Sequence, residues 1–202
     1  MKVTQLKQQV KDAGRVSVFV DEKYCFSLTL DQVLDEGVKK GIELDEALLS
    51  YFKKISDEGK LRSRALEWLM GRPHSERELR EYLYRKKAEK EQIEAVVEEF
   101  RARKYVNDEH FARWFAEGRI RKNNSTRAIK AELQSKGVSP DTIQSVVTEL
   151  ETTDEQALQT LVSKLSNRSR YADKDKLTRY LISKGFSYAD VKQALDSHGA
   201  ED

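Results

Sequence analysis

The sequence predicts a mainly α-helical protein, with three tandem three-helix repeats forming an elongated curved rod and a small β-hairpin at the N-terminus. Three observations predict this fold class. The chain repeats itself from residue 61 onward, apolar residues within each copy recur at helical spacing, and part of the first 30 residues alternates apolar and polar side chains. We therefore expect an N-terminal region and three repeats, with the bounds 1–60, 61–106, 107–151 and 152–202.

The hairpin is predicted from two short alternating segments, Arg15–Val20 and Tyr24–Leu28. Asp21–Lys23 lies between them and is expected to form the turn, although it lacks the glycine that is common there. Because a two-stranded ribbon is marginally stable alone, its apolar face should pack against helices. The expected face residues are Val16, Val18 and Val20 on the first strand, and Tyr24, Phe26 and Leu28 on the second.

Two helices are expected between the hairpin and the repeats. The first runs from about Asp31 to Glu36 and ends at Gly37, a residue that adopts left-handed backbone angles readily. Asp45 has the character of an N-cap for a longer helix that continues through Phe52 and Ile55.

The repeat is detected by adding 50 and then 48 to a position in the first copy. Apolar positions then coincide with apolar positions, and basic positions with basic ones. A period of this length is typical of architectures in which small helical units stack on their neighbours. Examples are Leu79 with Ile129 and Leu177, Leu83 with Leu133 and Leu181, Lys86 with Lys136 and Lys184, and Arg72 with Lys122 and Arg170.

The ends of the repeat helices carry recognisable signals. Ser75 followed by Glu78 is a capping-box pattern, and Ser139-Pro140 places an N-cap before a proline at the first helical position. Gly137 and Gly185 follow lysines where left-handed residues are expected to end helices. Short linkers are expected near Asn107 and near Thr152–Thr153, and Ser187 is expected to cap the last helix.

Composition excludes several classes of protein. Charged residues make up 36% of the 202 residues and hydrophobic residues 38%, which is too apolar for a disordered chain. No apolar run approaches the roughly 20 residues that a membrane-spanning helix needs, and the first residues lack the pattern of a secretory signal. Cys25 is the only cysteine, so an internal disulfide is impossible and a reducing cytoplasm is expected.

The net charge of +2 conceals an uneven distribution along the chain. Residues 60–136 contain 20 Lys and Arg against 13 Asp and Glu, whereas the segments before and after carry net charges of −2 and −3. A central basic block favours a polyanion or an acidic protein surface as partner. The alternative interpretation is a solvated helical surface with unevenly shared charges.

Within this block, basic residues cluster at the ends of predicted helices. Stacked repeats would arrange them as a discontinuous basic track able to contact phosphates or carboxylates. The alternative for Lys86, Lys136 and Lys184 is that each complements a helix C-terminal dipole. The candidate partner- and DNA-binding residues are Arg72, Arg77, Arg80, Lys86, Arg119, Arg121, Lys122, Arg127, Lys130 and Lys136.

Trp68 and Trp114 occupy similar places in the first helices of copies one and two. An exposed indole in this position can stack on a nucleic-acid base. Their spacing from neighbouring apolar residues instead favours packing in the core.

The sequence contains no recognisable catalytic arrangement. His74, His110 and His198 are isolated, without the histidine or cysteine spacing of a zinc site. No glycine-rich phosphate-binding motif is present, and the carboxylates alternate with Lys and Arg as they do on exposed helices. We therefore expect a protein that is not an enzyme and that holds neither a metal nor a cofactor.

Five segments, taken in order, resemble the RecX family of bacterial regulators of the RecA recombinase. The resemblance covers nearly the whole chain and falls on the three-copy repeat described above. The segments are VFVDEKYCFSL at 18–28, RPHSEREL at 72–79, KYVNDEHFA at 104–112, IKAELQSKGV at 129–138 and YLISKGFSYADV at 180–191.

The resemblance implies a partner and a mode of action. Family members occupy the deep groove of the RecA filament on single-stranded DNA and oppose filament extension, strand exchange, ATP hydrolysis and co-protease activity. We accordingly expect a cytoplasmic monomer that binds the RecA filament, without a membrane partner and with single- or double-stranded DNA as a further candidate partner.

Two other functions fit the same residues. One is a free DNA-binding helical-repeat protein that acts without the recombinase, although no helix concentrates the Arg, Asn and Gln residues that major-groove recognition uses. The other is a scaffold for a different protein partner.

Overall fold

The structure is a computed structural model, and it describes residues 1–10, 12–150 and 153–198. The described residues form two compact units. The first consists of Met1–Met70 and Tyr82–Val96, and the second of Gly71–Glu81 together with the chain from Val97 onward. The predicted boundary between the second and third repeats, at residues 151 and 152, and the Thr152 part of the predicted linker lie outside the described residues.

The first unit begins with a three-stranded antiparallel sheet. Its strands are β1 (Val3–Gln8), β2 (Arg15–Val20) and β3 (Lys23–Thr29), in the order β1-β2-β3. The two predicted strands are confirmed, and β1 is an addition. The sequence of β1 did not reveal it because Thr, Gln and Lys occupy most of its positions, and Val3 is its one fully buried side chain.

The hairpin turn is tighter than predicted. Asp21 and Glu22 both have positive φ, 46° and 66°, as expected for a two-residue turn whose twist matches that of the flanking strands. Val18 pairs with Phe26 but Phe19 pairs with Tyr24, so the register shifts by one residue. This bulge interrupts the alternation. The prediction that Tyr24 shares the buried face is therefore wrong, and its side chain is 49% exposed.

The two predicted helices that follow are confirmed. Helix α1 (Leu30–Asp35) starts with a capping box between Thr29 and Gln32. Helix α2 (Glu46–Leu69) starts at Asp45, whose carboxylate accepts a hydrogen bond from the Leu48 N–H. It is one continuous helix of 24 residues. The expected bound between residues 60 and 61 therefore lies inside it, and no proline interrupts the helix there.

Helix α2 packs against the sheet in two ways. The ring of Phe52 stacks on Phe26 with 5.2 Å between the centroids. The second contact is polar and is centred on Ser27 of β3. The buried Arg15 guanidinium donates to the backbone and hydroxyl oxygens of Ser27, each at 2.9 Å. The Ser56 hydroxyl accepts the Ser27 N–H at 3.0 Å, so hydrogen bonds as well as apolar contacts tie this helix to β3.

The rest of the described chain follows the predicted three-helix pattern. The first repeat uses the end of α2 as its first helix, and the third contains a short 3-10 turn at Ser169–Tyr171. The remaining helices are α3 (Glu76–Arg85), α4 (Lys90–Ala102), α5 (Asp108–Ile120), α6 (Thr126–Ser135), α7 (Pro140–Glu149), α8 (Asp154–Leu165), α9 (Lys174–Ser183) and α10 (Tyr188–His198).

Equivalent positions in the three repeats have equivalent environments. Leu83, Leu133 and Leu181, on the middle helices, are all fully buried. Gly137 and Gly185 have positive φ, 85° and 97°, and end the middle helices as predicted. The equivalent residue of the first repeat is Lys87, which also has positive φ (62°) although it is not glycine. The predicted caps at Ser75, Ser139 and Ser187 are confirmed, and Asn107, where a linker was expected, caps helix α5.

The two tryptophans have different environments. Trp68 is half-buried and stacks on Tyr82, with 4.5 Å between the centroids. Trp114 is 37% exposed, so the interpretation that it is a core residue is wrong. The core positions of helix α5 are instead filled by Phe111, Ala112 and Ala116.

Within the described residues, no helix is both long and apolar enough to cross a membrane.

Candidate functional site

The second unit contains a joint between the first and second repeats, built from residues 72–78, residues 136–137 and Asp108; it is called the first joint below. Asp108, the first residue of α5, accepts the Glu76 N–H at 2.8 Å. The Ser75 hydroxyl donates to the Lys136 carbonyl, also at 2.8 Å. The start of α3 thus meets the end of α6. This head-to-tail arrangement of helix dipoles is favourable, since a partly positive end faces a partly negative one.

The first joint is closed by the carboxylate of Glu78. It accepts hydrogen bonds from Arg72 Nη1 at 2.9 Å, from Lys136 Nζ at 2.7 Å and from His74 Nδ1 at 3.0 Å. The Glu78 side chain is only 14% exposed. Burial would raise its pKa, but the hydrogen bonds from Arg72, Lys136 and His74 outweigh burial and lower the pKa to about 2. Glu78 is therefore ionised at neutral pH and neutralises charge within the joint.

Two further carboxyl groups at the first joint have shifted pKa values. Burial raises the pKa of Asp108, although the hydrogen bond from the Glu76 backbone acts in the opposite direction. The pKa of Glu76 is lowered, mainly by the paired hydrogen bonds from Arg101, whose Nε and Nη2 lie 2.5 Å and 2.6 Å from its oxygens. Sequence reasoning missed this pair because its members lie 25 residues apart.

A second joint connects the second and third repeats and consists of residues 122–128, residues 184–186 and Asp154. It repeats the plan of the first. Asp154, the first residue of α8, accepts the Thr126 N–H at 2.6 Å, and the Ser125 N–H donates to the Lys184 carbonyl at 3.0 Å. Arg127 adds contacts from Nε to the Gly185 carbonyl at 3.0 Å and from Nη2 to the Phe186 carbonyl at 3.3 Å.

Glycine is required where the middle helices end at these joints. A Cβ on Gly137 would lie 2.8 Å from the Cβ of Arg77, and one on Gly185 would lie 2.5 Å from the Cβ of Ala128. Both separations are shorter than carbon atoms tolerate. The close approach of successive repeats therefore depends on residues without side chains.

Many of the predicted binding residues contact groups of the protein itself. Arg72 and Lys136 bind Glu78, and the Arg72 guanidinium also covers the Trp114 ring at 5.4 Å. Arg119 pairs with Glu132 and lies over the Phe115 ring at 4.7 Å. The other internal contacts are those of Arg77 with Glu81, Arg127 with the carbonyls of residues 185 and 186, Lys130 with Gln144, and Lys86 with the Tyr82 ring.

The remaining predicted residues differ in exposure. Arg80 is half-buried, and its charge contributes to the lowered pKa of Glu76. Arg121 is 68% exposed, with a long contact of 3.9 Å to Glu117. Lys122 is exposed as well. Arg121 and Lys122 follow directly after helix α5 and form the exposed basic patch considered below.

Sequence reasoning also missed basic and aromatic residues in the third repeat. Lys184 Nζ lies 5.6 Å from the centroid of the Tyr180 ring, and the guanidinium of Arg170 lies 5.8 Å from that of Tyr171. The two tyrosine rings contact each other, with 5.2 Å between their centroids. The signal was present, since Lys184 and Arg170 are the third-repeat equivalents of Lys136 and Lys122.

Among the residues that the structure describes, no three His, Cys, Asp or Glu side chains form a group suited to a metal ion. The site offers cations, aromatic faces and helix ends. The cations among these groups bind anionic surfaces through charge-assisted hydrogen bonds.

Four models of the RecX family match the chain in order. They describe the RecX N-terminal domain, over residues 1–45, and the first, second and third RecX three-helix domains, over residues 62–100, 107–147 and 153–195. The chain belongs to the RecX family. The predicted fold class, mainly α-helical with three tandem three-helix repeats, is confirmed as the RecX architecture, and the predicted N-terminal hairpin is part of a three-stranded sheet.

Relatives named Regulatory protein RecX support the same assignment. The protein from Bacillus pumilus is 33% identical over 201 residues, which cover 96% of this chain and 76% of the relative. The protein from Listeria welshimeri is 31% identical over 202 residues, covering 96% and 74% of the two chains. This RecX-family chain is thus similar to regulatory proteins rather than to enzymes.

Solved structures agree on the fold. A crystal structure of regulatory protein RecX has a TM-score of 0.71 at 23% identity, and the match covers 96% of this chain and 98% of that one. A crystal structure of RecX from Lactobacillus salivarius has a TM-score of 0.57 at 21% identity, covering 70% of this chain and 96% of that one.

Proposed function

We propose that this RecX-family protein regulates a RecA-type recombinase, mainly as an inhibitor. It binds in the groove of the recombinase filament on single-stranded DNA. There it limits filament extension, strand exchange, ATP hydrolysis and co-protease activity. It acts as a cytoplasmic monomer, and DNA is a second contact where the groove exposes it.

The observation that carries this proposal is the exposed basic patch. Arg121 and Lys122 remain accessible after the fold has used many of the neighbouring cations for its own contacts. They belong to a segment with a net charge of +7. Exposed cations of this kind accelerate association with an acidic partner and fix its orientation, whereas buried apolar contacts determine how long the complex lasts.

The internally paired cations contribute differently. Arg72 and Lys136 hold the first joint, and Arg119 pairs with Glu132 within the second repeat, so replacing any of them would alter internal packing as well as remove charge. Lys130 makes a weaker contact, to an amide oxygen, and is a secondary member of the proposed surface. Lys86 lies in the first unit, where it contacts an aromatic ring, and is a separate candidate contact. A test of binding is therefore clearest at Arg121 and Lys122.

The test measures ATP hydrolysis by RecA on single-stranded DNA as the protein is added. We expect inhibition at less than one molecule per recombinase protomer. The double variant Arg121→Glu, Lys122→Glu should need roughly tenfold more protein, since two reversed contacts remove at least the ~1.4 kcal/mol that corresponds to tenfold. The matched control is Lys39→Glu, Lys40→Glu, which reverses two exposed charges of the first unit.

Equal loss in the two double variants would point to net charge rather than to the patch. Absence of inhibition by the unmodified protein would reject the proposal. Tight filament-independent DNA binding, with a steep salt dependence of about 0.9 log unit per neutralised phosphate, would instead support the free DNA-binding function.

A further inference from the structure

The two joints differ in whether the protein itself supplies a carboxylate at the position of Glu78. Residues 72–78 read Arg-Pro-His-Ser-Glu-Arg-Glu, and their equivalents at 122–128 read Lys-Asn-Asn-Ser-Thr-Arg-Ala. The serine and the arginine two residues later are retained. Both joints use the serine, whereas Arg127 binds carbonyls across the second joint and Arg77 pairs with Glu81 on its own helix. The carboxylate of Glu78, which three donors hold in the first joint, is replaced by the methyl group of Ala128 in the second.

The donors around that position are nevertheless present in the second joint. Lys184 is the equivalent of Lys136, Lys122 of Arg72, and Asn124 of His74. Lys184 Nζ donates to the Asn124 side-chain oxygen at 3.4 Å and to the Lys122 carbonyl at 3.3 Å, both long contacts. Because the Asn124 oxygen accepts from Lys184, its NH₂ group is oriented to donate elsewhere.

These cations, Lys122 and Lys184, have no carboxylate partner among the residues that the structure describes. Lys122 is exposed, and Lys184, Asn124 and Ala128 are half-buried, so the position is accessible from solvent. The Lys184 ammonium group lies beside the Asn124 amide, and the exposed Lys122 adds a second cation two residues before Asn124. This is a favourable environment for an anion, because charge-assisted hydrogen bonds to it are strong.

We infer that the second joint binds a carboxylate from an exposed acidic segment of a partner protein, in the position that Glu78 fills in the first joint. The first joint supports this ligand directly, since its equivalent donors hold a carboxylate group at 2.7–3.0 Å. The site goes beyond the proposed function. It shares Lys122 with the exposed basic patch, so its test is performed without recombinase.

The test uses poly-L-glutamate as the probe and the nuclear magnetic resonance signals of the Asn124 side-chain amide and the Gly185 backbone amide as the readout. Poly-L-glutamate should shift both signals saturably. Ala128→Glu restores an internal carboxylate and should weaken this binding by about tenfold or more, whereas the neutral control Ala128→Gln should not. Lys122→Gln removes one ammonium group on an exposed turn and should also weaken binding.

Two results would overturn the inference. One is an unchanged response of Ala128→Glu and Lys122→Gln to poly-L-glutamate. The other is a response of these signals to oligodeoxythymidylate at equal charge concentration but not to poly-L-glutamate, which would assign the site to a phosphate backbone. Lys122→Gln keeps the test decisive if Ala128→Glu fails to fold.

Discussion

Glu78 and Lys136 lie 58 residues apart in the sequence, yet their side chains form an ion pair of 2.7 Å that links the first repeat to the second. Arg72 and His74 bind the same carboxylate, so one side chain connects three donors. The strength of this joint can therefore be tested at a single residue.

Replacing Glu78 with Gln should lower the free energy of unfolding by about 2 kcal/mol, because the half-buried Lys136 and the more exposed Arg72 would lose their shared counter-charge. Urea unfolding followed by circular dichroism measures the change. The control is Glu81→Gln, which removes an exposed pair with Arg77 and should cost less than about 1 kcal/mol. Equal effects of the two substitutions would contradict the role given to Glu78.

Acid should weaken the first joint in a defined range of pH. The pKa of Glu78 is lowered from 4.5 to about 2 in the folded protein, so the folded state favours the ionised form. Its stabilising contribution is complete above pH 4.5 and is lost as the pH falls toward 2. Melting temperatures measured across this range should fall more steeply for the unmodified protein than for Glu78→Gln. Parallel curves would show that another group is responsible.

Gly185→Ala should destabilise the third repeat. The alanine would have to adopt a left-handed backbone conformation, and its methyl carbon would lie 2.5 Å from the Cβ of Ala128. We therefore expect the free energy of unfolding to fall by about 2 kcal/mol. Gly118→Ala is the matched control, since its position is helical and the new methyl group would meet the flexible end of Arg121 at 3.8 Å, an ordinary contact distance. That substitution should be neutral or stabilising by up to about 1 kcal/mol. The reverse order would contradict the tight packing of the joint.

Asp154 should protect the start of helix α6 from solvent exchange. Its carboxylate accepts the Thr126 N–H, so Asp154→Ala leaves that donor without its partner and should cost about 1 kcal/mol. Hydrogen exchange at the Thr126 amide should accelerate more than exchange at Ile129, which is bonded within the helix. Glu155→Ala, one residue further along, should leave the Thr126 amide unchanged.

The fold was largely predictable because each repeat satisfies local rules. Leu83, Leu133 and Leu181 recur at nearly equal spacings, and caps such as Ser139 are short-range signals. The bulge that exposes Tyr24 was not predictable, since a register shift depends on the partner strand and not on local alternation.

The site was less predictable than the fold for a related reason. A periodic pattern locates cations on helices, but it does not say which carboxylate each one meets. From the sequence, Arg72 and Arg119 are candidates for a binding surface. In the structure Arg72 pairs with Glu78, and Arg119 pairs with Glu132. The functional significance of Ala128 emerged only when the first joint revealed what its equivalent residue binds.

Lys87 affects where further three-helix repeats could be added to this protein. The glycines at 137 and 185 admit a neighbouring helix start, whereas Lys87 has a side chain in the corresponding place. The middle helix of the third repeat begins with the sequence Asp-Lys-Asp, from Asp173. The other two middle helices begin with a serine that is followed two residues later by an arginine. The middle repeat is the one whose middle helix has both the serine at its start and the glycine at its end. A longer protein is therefore best engineered by duplicating this repeat, rather than by adding copies at either terminus.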